Sequence, residues 1–160
     1  MQEQILWSRR LRAWFRPLDN SAIECMLHLP SYEPVEWVTL QPGHVFLDIG
    51  AYVGWHAIQA ARAVGPSGQV VAIEPDPRNR LQLENNINLN GITNATIVPL
   101  AAWSHAGKFR WRGDSAEPVW HKIDESSGIG LVDAVTVDDL VHRFALTRVD
   151  WTKLDVEGPK

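Results

Sequence analysis

The chain has 160 residues, a length that suits one domain, because roughly 100 to 200 residues bury enough surface to outweigh chain entropy. Hydrophobic residues at 45% and charged residues at 21% lie near globular averages and exclude a disordered or fibrous chain. A net charge of -4 with no long basic run gives no footprint for a phosphate backbone, so nucleic acid is not an expected partner. The single cysteine, Cys25, has no intrachain disulfide partner and reads as a structural thiol in a reducing, cytoplasmic compartment. Neither a signal peptide nor an apolar run of about 18 residues is visible.

From Gln4 to Leu18, residues Trp7, Leu11, Trp14, Phe15 and Leu18 recur at helical spacing, with Arg9, Arg10, Arg12 and Arg16 between them. This predicts an amphipathic helix that packs its aromatic stripe on the domain or a partner, with weak peripheral contact to an anionic membrane as the alternative. A connecting region follows, holding a short helix around Pro34 to Leu40 and a turn at Pro42 and Gly43. Residues 1–42 read as an N-terminal segment and 43–160 as the domain proper.

"VFLDIG" from Val45 to Gly50 is an apolar run suited to a strand buried on both faces of a parallel sheet. A helix closed by Gly65 follows, then a strand from Gln69 to Pro75, a helix from Pro77 to Asn90 capped by Gly91, and a strand from Ala95 to Leu100. The alternation predicts a doubly wound α/β sheet. Beyond it, "GKFRW" at 107–111 reads as an exposed strand, 112–128 as a loop, 134–144 as a strand leading into a short helix, and Val149 to Val156 as a further core strand.

The densest motif is "LDIGAYVGW", in which Asp48, Gly50 and Gly54 stand at a strand-to-helix turn, where glycines admit unusual backbone angles and close approach of a ligand. The dinucleotide fingerprint is absent because Tyr52 occupies its second glycine position, which makes NAD the weaker cofactor. Glu74, ending the next strand, is placed to accept ribose hydroxyls, and Asp48 to orient the turn or meet a ligand ammonium through water. Together these residues suit an adenosine without a phosphate, as in S-adenosylmethionine (SAM).

"VFLDIGAYVGWHAI", "VVAIEPDPRNRLQLENNINLNGI", "VTVDDL" and "WTKLDVEG" resemble the successive signature segments of the FkbM family of SAM-dependent methyltransferases, over about Val45 to Gly158. The resemblance implies a class I methyltransferase, Rossmann-like α/β fold and methyl transfer, mostly to hydroxyl oxygens of sugars, lipids, polyketides or other small molecules. By position it implies Asp48, Gly50, Ala51 and Gly54 as the SAM turn and Glu74 as the ribose acid; Asn86 and Asn90 match paired family asparagines without an assigned chemistry. The family's turn usually reads G-A-N-x-G, and Tyr52 stands here at the asparagine; His56 departs from the pattern as well.

In the closing segment Lys153, Asp155 and Glu157 are spaced by two and share a face if the strand persists. Asp155 or Glu157 is the candidate to orient or deprotonate an acceptor hydroxyl, with Lys153 holding an acid in its charged form; an ion-pair cluster that pins the strand end is the alternative. No metal site is expected, since Asp138 and Asp139 lack histidines at a ligand spacing and His56, His105, His121 and His142 are scattered. The family's sheet is expected to have seven strands, of which this chain supplies four and an accessory hairpin, so a C-terminally truncated, incomplete sheet is expected. A non-catalytic SAM-binding module and an NAD-dependent oxidoreductase are the competing functions.

Overall fold

The computed structural model describes residues 5–9, 12–18 and 39–156 apart from 115–116 and 124–129, and only the backbone of 111–114 and 117–123. Cys25, Glu157 and most of the helix expected near Pro34 lie outside these residues. At its centre is a parallel sheet of β3 (Val45–Ile49), β4 (Gln69–Ile73), β5 (Ala95–Val98) and β10 (Trp151–Leu154), in the order β10-β3-β4-β5. Helices α1 (Trp55–Val64) and α2 (Pro77–Leu89) make the crossovers.

Burial on both faces explains the unbroken apolar strands. Phe46, Val70 and Ala72 pack with Ala57, Ile58 and Val64 of α1 and Leu83 and Ile87 of α2. Leu47, Ile49, Val71, Ile73 and Val98 turn to the other face and pack on Leu140 of α3 (Val137–Arg143). Helices on both faces make the sheet doubly wound, as the alternation predicts. Strand β10 pairs only with β3 among the described residues, and Trp151 and Leu154 are exposed.

Local chemistry sets the helix limits. Helix α2 starts where the Asp76 carboxylate accepts the N–H groups of Arg78 and Asn79 at 2.7 and 2.9 Å, with Pro77 in its first turn. Helix α3 starts with a reciprocal pair, in which Thr136 and Asp139 each accept the other's main-chain N–H. Asp139 is thereby committed to a helix end.

Two expectations are corrected. The N-terminal amphipathic helix is instead an antiparallel hairpin of β1 (Leu6–Ser8) and β2 (Ala13–Phe15), turning through Arg12 at φ +47°. The same apolar residues satisfy a period of two over so short a span, since Ala13 and Phe15 are buried while Trp14 points outward. A helix also pairs its main chain internally, whereas β2 finds partners on α2. Asn90 exchanges both main-chain bonds with Trp14, at 2.6 and 3.0 Å, and Asn86 does so with Arg16, at 2.7 and 3.3 Å. Four helical residues rise about 6 Å and two strand residues span about 6.6 Å, so a pair of amides four apart matches alternate strand residues.

The second correction concerns residues 112–128, expected as a loop. Strands β7 (Gly107–Asp114) and β8 (Glu117–Ile123) form a hairpin there, in a second sheet ordered β6-β9-β7-β8 with β6 (Ala101–Ala102) and β9 (Gly130–Val135). Turn-forming Gly, Asp, Ser and Pro residues masked the pattern. Pro118 is tolerated because β8 is the outer strand of its sheet.

Among the described residues the side chains of Asn86 and Asn90 each carry four hydrogen bonds, but Asn86 is fully buried and Asn90 half-buried. Asn86→Ala leaves the Arg16 N–H and Val53 carbonyl without this partner and is expected to cost about 3 kcal/mol, against about 1 kcal/mol for Asn90→Ala. Urea unfolding of the two variants measures the difference; equal costs would contradict this account of the hairpin's docking.

Candidate functional site

The chain leaves β3 through the turn Gly50 to Gly54. Gly50 and Gly54 sit at φ +82° and +94°, in the left-handed region that favours glycine. Protein atoms fill the space nearest their missing side chains: a Cβ on Gly50 would lie 2.0 Å from the Asp155 carbonyl oxygen, and one on Gly54 2.6 Å from Leu83 Cδ1. The glycines therefore let β10 and α2 close on the turn. The N–H groups of Gly50 and Ala51 both donate to the Ile73 carbonyl at 3.0 Å, tying the turn to β4.

Tyr52 also has a positive φ, +51°. An asparagine tolerates this region, while a bulky side chain in it costs on the order of 1 kcal/mol. Two contacts offset the strain. The Tyr52 N–H donates to Glu74 at 2.8 Å, and its ring packs edge-on against Trp55 with centroids 5.4 Å apart.

Glu74 is buried at the end of β4 and braces three segments. Its Oε2 accepts the Tyr52 N–H, while Oε1 accepts the Asp76 N–H at 3.0 Å and the Asn79 side-chain amide at 3.4 Å. A carboxylate offers about four acceptor positions, so roughly one remains for a ribose hydroxyl. Burial raises its pKa above the ordinary value of 4.5 against the opposing pull of the hydrogen bonds from Asp76, Tyr52 and Asn79.

Across the sheet, Lys153 of β10 pairs in register with Asp48 of β3. Its ammonium donates to the Gly50 carbonyl at 2.8 Å and lies 3.4 Å from Asp48 Oδ1 and 3.5 Å from Asp155 Oδ2. Asp48 is 0% exposed, and among the described residues neither of its oxygens accepts a hydrogen bond. Buried behind the turn, Asp48 serves to hold Lys153 and with it the Gly50 carbonyl. Asp155 is 66% exposed at its side chain and faces solvent at the strand end. Strand β10 is anchored at its start as well, where Asp150 accepts the Val45 N–H at 2.7 Å, which holds the Asp150 carboxyl below its usual range.

Asp48, Gly50, Ala51, Glu74, Lys153 and Asp155 thus gather at the carboxyl ends of β3, β4 and β10, where the strand order reverses and open α/β sheets bind ligands. Gly54 lies at the far end of the turn as the cap of α1, and Glu157 falls outside the described residues. Asn86, given no chemistry by its sequence position, also reaches the turn, donating to the Val53 carbonyl at 2.9 Å. Its signal in the sequence is the amide pair four residues apart. Among the described residues no group of three or more His, Cys, Asp or Glu side chains is arranged to hold a metal ion.

The donor set fits SAM: Glu74 keeps an acceptor for a ribose hydroxyl, and around the turn Asp48, Glu74, Asp76 and Asp155 outnumber Lys153 and Arg80, whose guanidinium caps the Glu74 and Pro75 carbonyls. That excess of acids suits a cationic ligand and opposes a pyrophosphate.

A family model described as the methyltransferase FkbM domain matches residues 48–159. Among solved structures the chain is similar to a methyltransferase FkbM from Methylobacillus flagellatus KT, at 18% identity over 80% of this chain and 30% of that one, with a TM-score of 0.56, a likeness of fold. It also matches a protein-L-isoaspartate O-methyltransferase at 34% identity over 40% of this chain and 20% of that one, TM-score 0.38. A SAM-dependent methyltransferase from Aquifex aeolicus matches at 23% identity over 54% and 50%, TM-score 0.43. The chain therefore spans between 20% and 50% of the length of these proteins. No curated protein matches it.

The raised pKa of Glu74 has two consequences of definite sign. Its contribution to stability is fullest below pH 4.5 and is lost as the pH rises through the raised value, because the folded protein holds this proton more tightly than the unfolded chain. A hydrogen bond from a ribose hydroxyl, by contrast, is strongest to the ionised form, so affinity for SAM is expected to fall as the pH drops through that same value, by about tenfold. Calorimetric titration at successive pH values above 4.5 follows it, and Glu74→Gln is expected to flatten the profile; an unchanged slope in the variant would remove Glu74 from the ligand.

Proposed function

The chain belongs to the FkbM family of methyltransferases, and from that premise we propose that it binds SAM in the Gly50 turn and passes a methyl group to a hydroxyl oxygen of a sugar, lipid, polyketide or other small molecule. The observation that carries the reading is the convergence on one turn of a buried ribose-type acid, Glu74, and a lysine-held carbonyl, Gly50, with the exposed Asp155 at its rim. When bound, SAM supplies an electrophilic methyl carbon on a sulfonium. The protein's work is to aim that carbon at the acceptor, keep water out and take a proton from the acceptor.

Asp155 is the group for the proton. Its exposed carboxylate would take the proton that the acceptor hydroxyl gives up as its oxygen accepts the methyl group and the methyl–sulfur bond breaks to leave S-adenosylhomocysteine, work typically worth about 10² to 10⁴ in rate. Lys153 is a positioning residue. Among the described residues it contacts Gly50, Asp48 and Asp155, so it sets the shape of the cofactor turn and the place of the acid from one side chain.

Two variants separate these roles. Asp155→Asn is expected to lower kcat by at least about 100-fold while leaving the Kd for SAM unchanged. Lys153→Met is expected to weaken SAM binding and to destabilise the fold by about 3 kcal/mol, since it strands the buried Asp48 charge, and Asp48→Asn in the same chain should recover part of that loss. Release of S-adenosylhomocysteine with a panel of sugar, lipid and polyketide acceptors reads turnover. SAM binding without turnover on any hydroxyl acceptor would mark a binding module, and NAD binding in place of SAM would reject the cofactor.

A further inference from the structure

We propose that the N-terminal hairpin is an interfacial anchor that seats the protein on an anionic lipid surface, a role independent of the methyl-transfer reading. Alternation along β2 commits Ala13 and Phe15 to the core, which turns Trp14 outward together with its cross-strand partner Trp7. A solvated outer face of an antiparallel hairpin is normally polar. Here it carries two tryptophans, each 46% exposed, with ring centroids 5.0 Å apart and Ile5 exposed beside them.

The charge along the described hairpin segment has one sign. Residues 5–18 contain Arg9, Arg10, Arg12 and Arg16 and no acid, in a chain whose net charge is -4. Arg9 and Arg12 are exposed at the turn, next to the tryptophans. Indole rings favour the headgroup level of a bilayer, and arginines there add attraction to anionic lipid. Among the described residues no helix is long and apolar enough to cross a membrane, so the contact is peripheral.

The hairpin is also held firmly enough to present this face. Asn86 and Asn90 bond both main-chain groups of Arg16 and Trp14, Gln82 donates to the Arg16 carbonyl at 2.6 Å, and Arg62 donates to the Arg12 carbonyl. The two rings are tilted by 55° and pack on each other, which leaves no parallel slot for a stacked base, and the negative charge of the remaining chain opposes a nucleic acid.

The test is co-sedimentation of the full chain with vesicles of phosphatidylcholine alone and mixed equally with phosphatidylglycerol. Binding is expected to the mixed vesicles only and to weaken with salt. Trp7→Ser/Trp14→Ser and Arg9→Gln/Arg12→Gln are each expected to weaken it by about tenfold or more while thermal unfolding stays unchanged, as the substituted side chains face solvent. The arginine pair keeps the test sound if the tryptophan pair perturbs folding. Four results would each overturn the proposal: no sedimentation with anionic vesicles, full binding by the tryptophan variant, preference for an oligothymidine over vesicles, or a tryptophan-dependent dimer that ignores vesicles.

Discussion

The five-residue turn between β3 and α1, with positive φ at Gly50, Tyr52 and Gly54, is the constraint on which the rest of the structure depends. Each neighbouring element sends one side chain to a different main-chain group of it: Lys153 of β10 to the Gly50 carbonyl, Glu74 of β4 to the Tyr52 N–H, and Asn86 of α2 to the Val53 carbonyl. Turn geometry comes first in this scheme, because the missing Cβ of Gly50 is what allows the end of β10 to approach. With the turn in place, two buried carboxylates, Asp48 and Glu74, have partners on hand: a lysine beside the first and main-chain donors on the second.

The same constraint sorts the acids by exposure. Glu74 and Asp48 are buried and brace the turn, while Asp155 is left at the solvent edge. Asn86 then extends the connection outward, since the amide that bonds Val53 in the turn also bonds Arg16 at the end of the hairpin. The glycine turn after β3 and the N-terminal hairpin are therefore joined through Asn86 of α2, although they lie far apart in the chain.

Much of the central domain was legible because its signals are local. Runs such as "VFLDI" and "QVVAI" have little choice but a two-sided strand, Asp76 followed by Pro77 marks a helix start, and the glycines at 50 and 54 mark a turn. Four ordered segments also tie the chain to its family, and the family model matches it over residues 48–159. The hairpins were not legible. At the N-terminus the spacing of Trp7, Trp14 and Phe15 suits a period of 3.6 about as well as a period of two, and the partners that decide between them, Asn86 and Asn90, lie about seventy residues away. In residues 112–123 the turn-forming composition hid a strand whose stability comes from its pairing with β7.

The sequence by itself therefore determined the parallel core, the boundaries of α1 and α2 and the place of the glycine turn, because these follow from unbroken burial, capping chemistry and backbone freedom, each expressed within a few neighbouring residues. Only the tertiary structure decided what the individual site residues do. Distances between chain-remote groups settle whether an acid is braced, paired or exposed: Glu74 is spent largely on main-chain donors, Asp48 on Lys153, and Asp155 alone of the three faces solvent.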